Sequence, residues 1–126
     1  MSNSPSKISS PFHVLLLADQ HGQGMVSFDD ALERLAQIPG NHIELDGSFA
    51  WRPSAQTQID GMIYDAYGCI QHIDLKATCD SDSWRAVVDA VSSGAPEMLT
   101  VQVLSVDHRP VKNLHEFEKA TFLSGQ

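Results

Sequence analysis

The chain has 126 residues, 42 % of them hydrophobic, and carries 8 basic against 16 acidic side chains for a formal net charge of −8. That length holds one domain and not two, and the apolar share excludes a disordered chain. The negative balance disfavours nucleic acid and anionic membrane as partners, because both would be repelled at long range.

Residues 1–11, "MSNSPSKISSP", are serine-rich and punctuated by proline, the composition of a disordered, solvated N-terminal arm ahead of a single domain over 12–126. "FHVLLLAD" (12–19) is a continuous β-favouring run and is expected as a strand buried on both faces, although a short buried helix is compatible with the same run. Its apolar stretch is too short for a secretory leader or a membrane span. Cys69 and Cys79 lack the spacing of a zinc site and are expected as half-buried thiols. Both observations suit a cytoplasmic protein with no membrane partner. "QHGQGM" then interrupts the chain with two glycines.

"SFDDALERLAQIPG" predicts a helix. Ser27 is placed as its N-cap, Asp30 follows three residues later, and Phe28, Leu32, Leu35 and Ile38 form one stripe before Pro39-Gly40. In "HIELDGSFAW" (42–51), Ile43, Leu45, Phe49 and Trp51 alternate with polar residues. This fits either one long strand or two short ones turning at Asp46-Gly47. "RPSAQT" reads as a loop. A hairpin follows from Gln58 to about Thr78, then a helix in "SDSWRAVVDAVSSG" with Ser81 or Asp82 as cap and Trp84, Val87, Val88 and Val91 as its buried stripe. "EMLTVQVLSV" is a strand, and "NLHEFEKATF" is a short helix started by an Asn113/Glu116 capping box and anchored by Leu114 and Phe117.

The expected fold is therefore α+β in the order β-α-β-β-β-α-β-α. It is a single mixed, twisted sheet of about five strands with a central antiparallel meander, helices packed on it, and a parallel crossover through the second helix. The apolar runs "HVLLLA" and "EMLTVQVL" offer strand edges that two chains can pair.

Register within the hairpin decides which charged residues meet. A three-residue loop Ala66-Tyr67-Gly68, with Gly68 in the left-handed position of a bulge, would pair Asp65 with Cys69, Met62 with His72 and Asp60 with Asp74. Ile59, Ile63, Ile73 and Leu75 would then line one face. Asp60, Met62, Tyr64, Ile70, His72, Asp74 and Lys76 would line the other. Two opposed carboxylates need a cation between them, supplied by Lys76 or by Mg²⁺.

An aspartate on one strand and Asp74-Leu75-Lys76 on the next resemble the PD-(D/E)XK nuclease superfamily, whose core is a helix, a three-stranded meander, a crossover helix and a further strand. The likeness spans roughly residues 27 to 105. It implies a Mg²⁺-dependent phosphodiesterase or nuclease-like protein, active or inactive, in which Asp60 and Asp74 bind the metal and Lys76 orients the attacking water. A further metal-binding acid maps to Glu33 by order along the chain, with Glu44 as its rival. Ile59 stands where that family usually has proline, and Asp74 where it more often has glutamate.

Other residues point to no chemistry of their own. The six histidines (His13, His21, His42, His72, His108, His115) form no metal-binding spacing and are expected at surface or satisfied positions. "DQHGQG" lacks the residues of a phosphate loop, and Trp51 and Trp84 belong to apolar stripes. From a different class, a ferredoxin-like β-α-β-β-α-β domain with one added strand accommodates the same order. It would act as a non-catalytic binding or homo-oligomerisation module, its acidic surface suiting a protein partner or simple solubility.

Overall fold

The computed structural model of the protein describes residues 7–18, 23–104 and 109–123. His21, His108 and most of "DQHGQG" lie outside them. Its elements are β1 (Phe12–Leu17), α1 (Phe28–Ala36), β2 (His42–Ile43), β3 (Ser48–Ser54), β4 (Thr57–Ala66), β5 (Cys69–Thr78), α2 (Ser81–Val91), β6 (Thr100–Val103), β7 (Val111–Asn113) and α3 (Leu114–Glu118). The seven strands form one sheet in the order β2-β3-β4-β5-β1-β6-β7. The α+β class stands, with seven strands rather than about five.

Every neighbouring pair in the sheet is antiparallel, so the sheet is not mixed. The reason is the position of β1. Through α2 the chain crosses from β5 to β6, which run in the same direction, but β1 lies between them and opposes both. β1 and β6 are therefore interior, and the edges that the sequence suggested there do not exist. The edges are β2 and β7, of two and three residues.

The termini of the helices follow their capping chemistry. Ser27 Oγ accepts from Asp30 N at 3.2 Å, which starts α1 as expected. The cap of α2 is Asp80 rather than Ser81 or Asp82, its carboxylate accepting from Ser83 N at 2.8 Å. Asn113 and Glu116 form the anticipated capping box ahead of α3.

Residues 42–51 form two strands. Asp46 Oδ1 accepts from Ser48 N at 3.0 Å, closing the Asp46-Gly47 turn and holding the Asp46 carboxyl below the usual carboxylate range. Leu45 consequently leaves the apolar stripe and is 90 % exposed. "RPSAQT" is not a loop throughout. β3 continues through Arg52, Pro53 and Ser54, with an irregular register after Trp51 that accommodates the proline, and the turn is Ala55-Gln56. Ser9, in the segment before β1, is buried and donates its N–H to Cys79 O at 2.8 Å.

Hairpin β4–β5 departs from the expected register. Tyr67 and Gly68 alone form the loop, at φ 54° and 84°, the two positive angles that a type I′ turn demands. Ala66 therefore pairs with Cys69, and the register shifts beside Gln71 so that Tyr64 pairs with His72, Met62 with Asp74 and Asp60 with Lys76. The two registers differ by an even number of residues, so Ile59, Ile63, Ile73 and Leu75 share a face as expected. Ile70 is the exception. The extra residue of the bulge turns it into the core, where it is 6 % exposed.

All three helices pack on that one face. Ala31 and Leu35 of α1, Trp84, Val87, Val88 and Val91 of α2, and Leu114 and Phe117 of α3 join Val14, Leu16, Ile59, Ile63, Ile73 and Leu75 in one buried cluster. Trp84 is fully buried, meets Phe117 at 5.0 Å between centroids, and donates its indole N–H to Glu118 Oε2 at 2.9 Å. Trp51 likewise reaches Pro39 O.

Where β3 meets β4, the ring of Phe49 lies directly over Gly61. A Cβ built there would stand 2.2 Å from Phe49 Cζ. Gly61→Ala is therefore expected to lower the stability by about 2–3 kcal/mol through overpacking. In urea unfolding, most of that loss should disappear in a Phe49→Leu background.

Candidate functional site

With every helix on one side, the other side of the sheet carries no covering element among the described residues. Register arranges its side chains in rows across the strands. One row holds Ala50, Asp60, Lys76 and His13. The next holds Ser48, Met62, Asp74, Leu15, Gln102 and Val111. A third holds Tyr64, His72, Leu17, Thr100 and Asn113.

The strand pairing places Asp60, Asp74 and Lys76 on this open face, as the parity of the hairpin required, but not in the expected constellation. Asp60 faces Lys76 rather than Asp74, and Asp74 faces Met62. Opposite charges are thus paired across β4 and β5, which relieves the carboxylate repulsion that motivated a metal. Arg52 adds a second cation, with Nη1 4.0 Å from Asp60 Oδ1. The Asp74 carboxylate is engaged elsewhere, 2.9 Å from His13 Nε2. These exposed and half-exposed pairs contribute modestly to stability.

His13 was missed as a site residue. Its partner lies 61 residues away along the chain, beyond the reach of any local spacing. The alternation of "FHVLLL" nevertheless puts His13 with Leu15 and Leu17 on one face of β1. A second unforeseen contact is the stack of Tyr64 on His72, with centroids 4.7 Å apart and planes at 25°. His13, Asp60, Gly61, Met62, Tyr64, Asp74 and Lys76 surround a shallow depression of about 290 Å³. A neighbouring one of about 330 Å³ lies between Phe12, His13, Gln58 and Lys76.

The proposed acids do not assemble around a divalent cation. Glu33 is exposed on α1, on the helix side of the sheet, and Glu44 lies at the β2–β3 turn with Oε1 3.7 Å from His42 Nε2. Among the described residues no three His, Cys, Asp or Glu side chains converge on one point. The set that the resemblance implied, Glu33 or Glu44 beside Asp60 and Asp74, is therefore not formed.

The cysteines differ from the half-buried pair anticipated. Cys69 is exposed at the tip of the hairpin and Cys79 is buried. Burial pushes the Cys79 thiol up to about 12, with a smaller contribution from Asp80.

No family model matches the chain, and neither the curated proteins nor the solved structures provide a match. No described helix is long and apolar enough to cross a membrane.

Two outcomes follow for solution experiments. Millimolar Mg²⁺ or Mn²⁺ should leave the melting temperature unchanged, and a rise that disappears in Asp74→Asn would restore the metal site. Mass spectrometry after brief treatment with iodoacetamide at neutral pH should find one label, on Cys69. A second label should appear only once the protein is unfolded.

Proposed function

We propose that the protein is a non-catalytic binding module whose working surface is the open face of the sheet. The observation that carries this is the composition of that face. Half-buried Leu15, Leu17 and Met62 and the exposed Tyr64 and Val111 lie among Arg52, Asp60, His72, Asp74 and Lys76. Apolar positions within a polar surround are the anatomy of a protein contact.

Topology supports the same reading. Without β2, β3 and β7, the chain reads β1-α1-β4-β5-α2-β6 with strand order β4-β5-β1-β6. That is the split βαβ pattern of ferredoxin-like modules, which hold helices on one face and leave the other open. The nuclease-like reading has less support, since Asp60 and Asp74 occupy different rows and each already faces a cation or a histidine.

The acidity of the chain is not the recognition feature. Asp29, Asp30 and Glu33 on α1 and Asp82 and Asp89 on α2 are exposed on the helix side. A protein partner would be recognised by the apolar rows of the sheet, with the flanking ion pairs setting orientation.

Selection of displayed random peptides on the immobilised protein tests the reading. Selected binders should lose about tenfold or more in affinity against Met62→Lys and keep it against Asp29→Lys on α1. Binders indifferent to Met62, or no binders at all, would overturn it.

A further inference from the structure

We infer that the open face of the sheet closes on a second copy of this chain. The inference rests on the binding-module reading above and specifies its partner.

The first support is a mismatch between β1 and its neighbour. β5 alternates as a strand covered on one side does, with Ile73 and Leu75 buried and His72, Asp74 and Lys76 facing outward. β1 alternates in burial but not in polarity from Val14 onward. Val14 and Leu16 are fully buried under the helices, and Leu15 and Leu17 point the other way with no described element over them. An unbroken apolar run is the mark of a strand buried on both faces. β1 is interior to the sheet, so the unmatched leucines lie within the open face and not at its margin.

Charge selects the occupant. The strand positions of the open face carry Arg52, Lys76, Asp60 and Asp74, two charges of each sign and a formal sum of zero. Of the other described residues 12 are acidic and 6 basic, so the excess of negative charge among them lies off that face. A strongly basic partner would find its complement on the helix side, whereas a face carrying both signs in equal number complements itself. In a two-fold contact each residue is used twice, so the carboxylates of one copy can meet the cations of the other in two equivalent places.

Among the described residues the edge strands β2 and β7, of two and three residues, offer little to template another chain. The area is sufficient. Strands about 4.8 Å apart and same-face rows about 7 Å apart give roughly 500 Å² per copy over the three rows. Two such faces bury roughly 1,000 Å², the size of a weak specific contact.

Sedimentation of the full chain between about 5 and about 200 µM tests the inference over the micromolar affinities that such an area supports. Dimers should form, and raising salt from about 0.1 M to about 1 M should tighten them at least about threefold. Salt screens repulsion between two acidic chains more than it weakens pairs inside the contact. Arg52→Glu with Lys76→Glu in one chain, and Asp60→Lys with Asp74→Lys in another, should each yield monomers that pair when mixed. Folding of both variants is checked by circular dichroism, and the salt measurement on the unaltered chain needs neither.

A monomer at every concentration and salt overturns the inference, as does a dimer that both charge-swapped chains retain. If the chain is monomeric while selected peptides still depend on Met62, only the self-pairing fails. If the peptides are also indifferent to Met62, the binding-module reading falls with it.

Discussion

The insertion of β1 between β5 and β6 is the constraint on which the rest of the structure depends. Its backbone pairs with β5 on one side and β6 on the other, joining the β2–β5 meander to the C-terminal β6–β7 pair as one sheet. Val14 and Leu16 provide the floor on which the helices meet, and their burial is complete. The same insertion makes every neighbouring pair antiparallel, although the crossover through α2 brings back a strand running in the direction of β5. It also brings His13 to Asp74 and sets Leu15 and Leu17 within the uncovered face.

The sheet is thus finished on one side and unfinished on the other. On the helix side, bulky residues interlock closely, as Phe49 over Gly61 shows. On the open side, Asp60 opposes Lys76 across the strands, Asp74 reaches His13, and apolar groups remain half accessible. Among the described residues its carboxylates do not converge with a third metal ligand.

Much of this could be read from the residues, and the remainder fails for identifiable reasons. Helices α1 and α2 and the capping box of α3 were legible because Ser27, Asn113, Glu116 and the stripes Phe28-Leu35 and Trp84-Val91 act within one or two turns of chain. The faces of β4 and β5 were legible too, because alternation survives an even shift in register. The register itself was not. Tyr67 adopts a positive φ that its side chain gives no warning of, and Gln71 forms a bulge unmarked by glycine. The strand order escaped because the position of β1 is set by contacts with residues some sixty places later in the sequence. Short β7, with three residues and an exposed Val111, carries almost no periodic signal.

The position of β1 also shapes how the molecule is made. During synthesis "VLLLA" leaves the ribosome well before Ile73, Leu75 and Ala77, its partners on β5, exist. At about 5–20 residues per second that interval lasts several seconds. For that time the most apolar strand of the protein is an orphan in the growing chain, and the chain cannot complete its sheet in the order in which it emerges. The apolar surface that waits longest for its partners is therefore that of β1, the segment that later lies in the interior of the sheet.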